Sequence, residues 1–197
     1  MKIYLIRHGE TTGDIENRYG GDYDDHLSDK GRSQCIDLAK KLKNKGIQII
    51  YYSPRIRAKE TVEILNRSLG TKLEEADDFR ERNSYGILTG LVKSDAKEKY
   101  PKEVEKLEKS KVYHNVKNSE AYDSFKKRVT GAFEKIISNK NYSVIAIISH
   151  GGPISCIVRE VLKLGEFEFL GDCSVLEIKK TGTKLELLKM ENAVLRK

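Results

Sequence analysis

The feature that most constrains this chain is a continuous apolar run, SVIAIIS, at Ser143–Ser149. An apolar run without polar alternation is typical of a strand whose two faces are both covered. The run therefore predicts a strand at the centre of a sheet, between two layers of helices. A second short apolar segment, Lys2–Ile6, predicts another buried strand near the start of the chain.

The rest of the chain alternates further predicted helices and strands. Hydrophobic spacing predicts helices at Asp29–Lys45, from Ser53 and Pro54 to about Leu69, from Ser94 to about Lys109 with a break near Pro101, at Ala121–Ile137 and at Pro153–Leu164. It predicts strands at Ile47–Tyr52, Lys72–Ala76, Ser174–Lys179 and Lys184–Lys189. Ser53 is the expected N-cap of its helix, with Pro54 at the first helical position.

Repeated strand–helix units indicate an α/β fold. We expect a three-layer sandwich with a mostly parallel central sheet flanked by helices. The length of 197 residues favours a single domain over residues 1–197, with a helical insertion at about 91–118.

Two histidines stand at matched positions in this pattern. His8 follows the first strand after Arg7, and His150 follows the most apolar strand; each is succeeded by glycine. Open α/β sheets bind ligands beyond the carboxyl ends of their strands. A single histidine near a strand end is more often structural, but a matched pair predicts a functional site there.

Five motifs resemble those of the histidine phosphatase superfamily, also called the phosphoglycerate mutase-like family. They occur in family order over about residues 2–155: Arg7-His8-Gly9-Glu10-Thr11; Leu27-Ser28 with Gly31 and Gln34; Ser53-Pro54 with Arg57-Ala58 and Thr61; Glu81 with Tyr85-Gly86 and Thr89-Gly90; and Ser149-His150-Gly151-Gly152. The resemblance implies hydrolysis of a phosphomonoester through a phosphohistidine intermediate.

The resemblance also implies a role for each candidate catalytic residue. Arg7 and Arg57 offer planar forks that bind phosphoryl oxygens bidentately. His8 is the expected nucleophile, provided one ring nitrogen donates to a carbonyl and the other keeps its lone pair. His150 would lie beside His8 and stabilise phosphoryl charge. Glu81 is the expected general acid.

A second set of residues is expected to bind the substrate: Thr11, Asp14, Gly20, Gly21, Arg82, Tyr85, Lys93 and Gly151. Asp14 departs from the family, which usually has asparagine there, and an anion at that place repels phosphate unless it is paired or turned away. Gly20 and Gly21 offer backbone N–H groups instead. Arg82, Tyr85 and Lys93 are expected on the side of the leaving group.

The sequence predicts no metal site and no cofactor. None of the four histidines (His8, His26, His114 and His150) is spaced two to four residues from another histidine or a cysteine. We therefore expect activity without a divalent cation.

The charge and the cysteines bear on partners and location. The net charge of +7 is spread over Lys and Arg interleaved with Asp and Glu, which favours a solvated surface and a small anionic substrate over a nucleic-acid partner. No apolar run is long enough to span a membrane. The short apolar core before Arg7 and the three dispersed cysteines lead us to expect a cytoplasmic protein with reduced thiols; whether it forms a homodimer stays open.

Two alternatives to a phosphatase stay open. A phosphoglycerate mutase that depends on 2,3-bisphosphoglycerate is the first, but such mutases usually carry His-Gly-Asn where this chain has His150-Gly151-Gly152, and an Arg-Arg pair where it has Lys109-Ser110. The second is a non-catalytic module that binds a phosphorylated ligand or RNA. The histidines, Arg57 and Glu81 favour the enzyme.

Overall fold

The computed structural model describes residues 1–109 and 116–196, and these form one six-stranded sheet with helices on both faces. The strands are β1 (Lys2–Arg7), β2 (Ile49–Tyr52), β3 (Lys72–Glu75), β4 (Val144–Ser149), β5 (Phe167–Thr181) and β6 (Lys184–Leu195). The helices are α1 (Thr12–Ile15), α2 (Asp29–Leu42), α3 (Ile56–Leu69), α4 (Lys93–Lys99), α5 (Pro101–Lys109), α6 (Tyr122–Ser138) and α7 (Gly151–Cys156).

The strand order, β3-β2-β4-β1-β5-β6, puts the two strands that end in histidine side by side. β1, β2, β3 and β4 run parallel, with Arg7 opposite Ser149 at the ends of β1 and β4. β5 runs antiparallel to β1, and β6 returns antiparallel to β5. The predicted mostly parallel α/β sheet is confirmed.

Side chains of β1 alternate between two apolar cores, which is why this strand carries no polar residue between Lys2 and Arg7. Ile3 and Leu5 belong to the core under α6 and α7. Tyr4 and Ile6 belong to the core under α2 and α3. Burial of both faces fixes the strand, and so fixes the backbone that carries His8.

The predicted N-cap at Ser53 is wrong. α3 begins at Ile56, with Arg55 as its N-cap and no side-chain capping bond. The backbone of Ser53 still belongs to the sheet, where its N–H donates to Ile148 O at 3.0 Å. Its hydroxyl lies 2.7 Å from Nε2 of His150 and accepts the N–H of Arg55 at 3.3 Å, so it bonds the residue before the helix and not the first turn.

Several other bounds differ from the prediction. α7 begins at Gly151, with only His150 between it and β4, and continues as a π-helical turn over Ile157–Val161. The closing hairpin of β5 and β6 is much longer than predicted. The prediction for β6 was too short because polar and apolar residues alternate along this edge strand without an apolar run. The predicted break at Pro101 is confirmed, since it separates α4 from α5.

The predicted insertion at about 91–118 contributes α4 and α5. They enclose a small third core of Tyr19, Leu88, Ala96, Val104 and Val116. Residues 110–115, including Ser110 of the motif comparison and His114, lie outside the described residues. No described helix is long and apolar enough to cross a bilayer.

Candidate active site

The two strand ends bring the histidine rings together. The N–H of His8 donates to Ser149 O at 3.1 Å, continuing the β1–β4 ladder by one residue. The ring centroids of His8 and His150 are 5.0 Å apart, with the rings inclined by 60°. Both side chains are buried; His8 lines the cavity described below, whereas His150 is fully buried against the His8 ring and does not line it.

Hydrogen bonds assign the tautomer of His8. Its Nδ1 lies 2.8 Å from Gly9 O, and a carbonyl accepts only, so Nδ1 carries the proton. Nε2 then keeps a lone pair and accepts the Arg57 Nε–H at 3.2 Å. Burial, with Arg57 and Arg7 nearby, lowers the pKa of His8 well below its usual range, so the ring is neutral.

His150 carries its proton on the opposite nitrogen. Its Nδ1 accepts the same Arg57 Nε–H at 3.1 Å, and its Nε2 lies 2.7 Å from Ser53 Oγ. With Nδ1 accepting, the neutral ring donates from Nε2 to the Ser53 hydroxyl. Burial, followed by the charge of Arg57, lowers the pKa of His150 well below its usual range.

Arg57 holds the two rings and the loop that faces them. Its guanidinium is 4% exposed, and Nη1 donates to Asp25 Oδ1 at 2.7 Å and to Tyr23 O at 2.6 Å. Nη2 donates to Gly21 O at 2.9 Å. One planar fork thus joins α3, the two histidines and the Gly21–Asp25 segment.

Arg7 approaches from the opposite side and is held by β5. Its Nη1 donates to Leu170 O at 2.6 Å, and its Nη2 lies 3.4 Å from Asp172 Oδ1. Its Nε is buried and has no hydrogen-bond partner among the described residues. A partly exposed guanidinium with one buried donor to spare suits an anion.

Glu81 forms the wall beside the start of α7. Both carboxylate oxygens lie 3.1 Å from the N–H of Gly152, and Oε1 also accepts the N–H of Arg82 at 2.8 Å. A Cβ on residue 152 would stand 2.1 Å from Oε1, so only glycine lets the carboxylate come this close.

Arg7, His8, Arg57 and Glu81 surround a cavity of about 110 Å³. Gly20, Gly21, Thr11 and Asp14 line it too, together with four residues that the sequence analysis missed: Gly13, Arg18, Tyr23 and Asp25. Asp25 and Tyr23 lie in an irregular segment without periodicity. The signal that could have found Asp25 is chemical, since a buried arginine requires a carboxylate partner.

Asp14 and Gly21 lie at the cavity, and each also makes a contact within the protein. The carboxylate of Asp14 accepts the N–H and hydroxyl of Thr11, both at 2.9 Å, in a capping box at the start of α1. The exposed Asp14 is thereby bonded to the loop that follows His8. Gly21 offers its carbonyl to Arg57, and Gly20 is exposed.

A second, larger cavity of about 610 Å³ is bordered by Gly151 and Gly152. Arg82, Tyr122, Phe125, Arg159 and Phe167 are among its lining residues. The Arg82 and Arg159 guanidinium groups lie 5.4 and 4.9 Å from the Tyr122 ring.

The remaining expected substrate residues, Tyr85 and Lys93, line neither cavity. The Tyr85 ring packs on Tyr19, with centroids 5.1 Å apart. The Lys93 ammonium lies 5.9 Å from the centroid of the same Tyr19 ring. Both side chains thus belong to the packing of the insertion.

Within residues 1–109 and 116–196, no three His, Cys, Asp or Glu side chains are grouped so as to hold a metal ion. The positive charge close to the two histidines comes from Arg7 and Arg57, and Arg18 adds to it at the cavity rim. The arrangement presents a neutral imidazole lone pair, guanidinium groups and a carboxylate to one anion-sized cavity.

Comparison with known proteins gives consistent matches. A family model of the histidine phosphatase superfamily (branch 1) matches residues 3–193. The uncharacterized phosphatase PhoE of Bacillus subtilis is 29% identical over 159 residues, which cover 81% of this chain and 76% of that protein. The probable phosphoglycerate mutase GpmB of Escherichia coli is 29% identical over 164 residues, 83% of this chain and 76% of the relative.

Among solved structures, the alpha-ribazole phosphatase of Shigella flexneri superposes with a TM-score of 0.83 over 98% of both chains, at 20% identity. At this identity the likeness establishes a shared fold.

Proposed function

The chain belongs to branch 1 of the histidine phosphatase superfamily, and from that premise we propose that it hydrolyses phosphomonoesters of small metabolites through a phosphohistidine at His8 Nε2. One observation carries the proposal: the Nδ1–H of His8 is bonded to Gly9 O, which leaves the Nε2 lone pair at a cavity flanked by Arg7 and Arg57. A neutral imidazole in that tautomer is a competent nucleophile.

In the first step, His8 Nε2 attacks phosphorus and the ester oxygen leaves. The phosphoryl group displaces the Arg57 Nε–H from Nε2 of His8. That N–H then donates to a phosphoryl oxygen. Glu81 gives its proton to the leaving oxygen, and the N–H groups of Gly152 and Arg82 hold the carboxylate in place.

In the second step, Glu81 takes a proton from water, which attacks the phosphohistidine and releases inorganic phosphate and neutral His8. His150 supports both steps. A bound phosphate dianion favours the imidazolium form of His150. Its Nδ1–H then donates to a phosphoryl oxygen, while its Nε2–H continues to donate to the Ser53 hydroxyl.

The larger cavity suggests the class of substrate. Its aromatic rings and the Arg82 and Arg159 guanidinium groups suit a leaving group with both a ring and polar or anionic substituents. We propose that Arg82 and Gly151 contact this part of the substrate, while Thr11, Gly20 and Gly21 line the phosphoryl side.

The mutase stays the second candidate, because the relative GpmB bears that name and because Arg82 and Arg159 could hold a second anionic group. We favour the phosphatase because this chain has Gly152 where such mutases usually carry asparagine, and the Glu81 carboxylate occupies the space that a side chain at that position would need. Assays with 3-phosphoglycerate, with and without a 2,3-bisphosphoglycerate primer, separate them: the phosphatase releases phosphate, and the mutase forms 2-phosphoglycerate only when primed.

His8→Ala tests the mechanism. We expect it to abolish turnover of p-nitrophenyl phosphate, while rapid quenching of the wild type at alkaline pH retains a phosphoryl group on the peptide containing His8. His26→Ala is the matched control, since this exposed histidine pairs with Glu60 away from the cavity. Undiminished turnover by His8→Ala, or phosphate on another residue, would refute the proposal. A screen of phosphorylated metabolites then identifies the substrate.

We further propose a cytoplasmic enzyme without a nucleic-acid partner. Its three cysteines are free thiols, which suits a reducing compartment. Salt-sensitive RNA binding in a filter assay would contradict the second part. Size-exclusion chromatography decides between a monomer and a homodimer.

A further inference from the structure

Two cysteines far apart in sequence meet directly behind the catalytic loop. Cys35 Sγ on α2 lies 3.7 Å from Cys173 Sγ on β5. Cys35 is fully buried, whereas Cys173 is half-buried and lines a surface cavity of about 560 Å³. A small solute can therefore reach the pair from the Cys173 side.

Cys173 belongs to an irregular part of β5 that holds the site. The register of β5 against β6 shifts between Leu170 and Val175, and Cys173 has a left-handed φ of 51°. Within this bulge Leu170 O and Asp172 bind the Arg7 guanidinium, and the N–H of Cys173 donates to His8 O at 3.0 Å.

Cys35 supports the same loop from the other side. Its Sγ donates to Thr61 Oγ1 at 3.6 Å, and that hydroxyl accepts the N–H of Gly9 at 3.3 Å. A Cβ on Gly9 would stand 3.0 Å from Cys35 Sγ, so the thiol packs directly on the loop after His8.

The two thiols differ in acidity. A hydrogen bond from Cys173 lowers the pKa of Cys35, and the same bond, with burial, raises the pKa of Cys173. Cys35 is thus the first to become a thiolate, the nucleophilic form of cysteine.

We propose that Cys35 and Cys173 form a site of reversible oxidation, which hydrogen peroxide or a similar small peroxide closes to a disulfide that lowers the activity of the adjacent site. The loss of activity rests on the proposed phosphatase function; formation of the disulfide does not.

The Cys35 thiolate attacks one peroxide oxygen, the O–O bond breaks, and with one proton taken up the products are a sulfenic acid and water. The Cys173 sulfur then attacks the sulfenic sulfur, forming the S–S bond and releasing a second water. Two thiols are oxidised and one peroxide is reduced.

Formation of the Cys35–Cys173 disulfide moves the irregular segment of β5 around Cys173. The sulfurs must come about 1.7 Å closer than their present 3.7 Å to reach disulfide length. Cys35 is fixed in the packed helix α2, so the irregular segment at Cys173 is the part that shifts. Arg7 and the backbone of His8 shift with it, and displacement of about 1 Å at a reacting group can cost 100-fold in rate.

The experiment treats the reduced full-length protein with hydrogen peroxide, maps unreduced peptides by mass spectrometry and measures p-nitrophenyl phosphate turnover. We expect a Cys35–Cys173 linked peptide pair, a fall in kcat/KM of about tenfold or more, and recovery of both with dithiothreitol. Absence of the linked pair, or full activity of the linked protein, overturns the proposal. If the reduced protein has no phosphatase activity, the proposed function fails while the peptide map still tests the site.

Cysteine variants distinguish oxidation of the Cys35–Cys173 pair from oxidation elsewhere in the protein. Cys173→Ser should form no linked peptide and lose no activity on peroxide treatment, and Cys35→Ala provides the same test should the first variant fold poorly. Cys156→Ala is the matched control, because that third cysteine is buried in α7 and the variant should respond like the wild type. Equal inactivation of Cys173→Ser and the wild type would place the sensitivity elsewhere and overturn the proposal.

Discussion

The backbone N–H of Gly152 lies 3.1 Å from both carboxylate oxygens of Glu81, and a Cβ on Gly152 would stand 2.1 Å from one of them. The carboxylate therefore occupies the space that any side chain at position 152 would need. The position of the Glu81 carboxylate is therefore set both by its own loop and by the first turn of α7. This contact joins the Glu81 loop to the sequence motif that follows β4.

Gly152→Ala should displace the Glu81 carboxylate and lower kcat by about 100-fold, since general acid–base catalysis contributes about 10²–10⁴-fold. Gly131→Ala is the matched control: this glycine lies in α6, where a Cβ would meet no neighbouring atom within 4 Å, so its loss should be far smaller. The assay is kcat for an alkyl phosphate, with circular dichroism to check folding. Equal losses in the two variants would show that the contact does not position the acid.

The loss of turnover in Glu81→Gln should depend on the leaving group of the substrate. Alkoxides need a proton to leave, so we expect a loss of about 10²–10⁴ with alkyl phosphates. The loss should be much smaller with p-nitrophenyl phosphate, whose phenolate leaves without one. Glu10→Gln is the control, because Glu10 lies in the His8 loop but binds Ser28 and Lys30. A uniform loss across leaving groups would remove Glu81 from the proton transfer.

The sequence predicted the parts of this site that lie on regular elements. His8 and His150 follow two apolar strands, and that pattern alone placed them at one edge of the sheet. Tyr23 and Asp25 were missed because they lie in an irregular segment whose position is set by the Arg57 fork, a tertiary contact without periodicity. Ser53 was misassigned for a similar reason: its hydroxyl can cap a helix or bond a ring, and only the fold decides.

Arg57→Lys should cost about 10²–10³ in kcat, because a lysine cannot replace a planar donor set that reaches His8, His150 and the facing loop at once. Kinetics with p-nitrophenyl phosphate measure this loss. Arg55→Lys is a suitable control, since Arg55 pairs with Asp22 and Asp24 and lies outside the cavity lining. Comparable losses in both variants would indicate a general effect of charge.

Arg57→Met should also destabilise the fold, since it leaves the carboxylate of Asp25, only 8% exposed, without its cation. Breaking a buried ion pair on one side costs about 3–5 kcal/mol. Urea unfolding measures the change. Adding Asp25→Asn should recover part of the loss, and no recovery would mean that the unpaired charge is not the cause.

Turnover should be unaffected by a chelator. The mechanism draws its electrophilic groups from Arg7, Arg57 and His150, and Glu81 moves the protons of the leaving group and of the attacking water. The measurement is kcat/KM after dialysis against EDTA, before and after adding divalent metals. Loss of turnover on chelation, restored by a metal, would show that an ion takes part.

The stability of the protein should fall in mild acid because His8 and His150 are held neutral. Burial lowers the pKa of each well below its usual 6.5 in the folded state, while the unfolded chain keeps the ordinary value. Below about pH 6.5 the unfolded state therefore binds protons that the folded state does not, and the free energy of unfolding drops by up to about 1.4 kcal/mol per pH unit for each histidine. This contribution is fully present above that pH.

Urea unfolding at about pH 7.5, 6.5 and 5.5 measures this slope. His150→Gln should lower the slope, as one of the two buried imidazoles is gone. His26→Gln should keep the slope of the wild type, because His26 is exposed and bonded to Glu60 at the surface. If His150→Gln retained the full slope, protonation of this buried pair would not be what weakens the fold in acid.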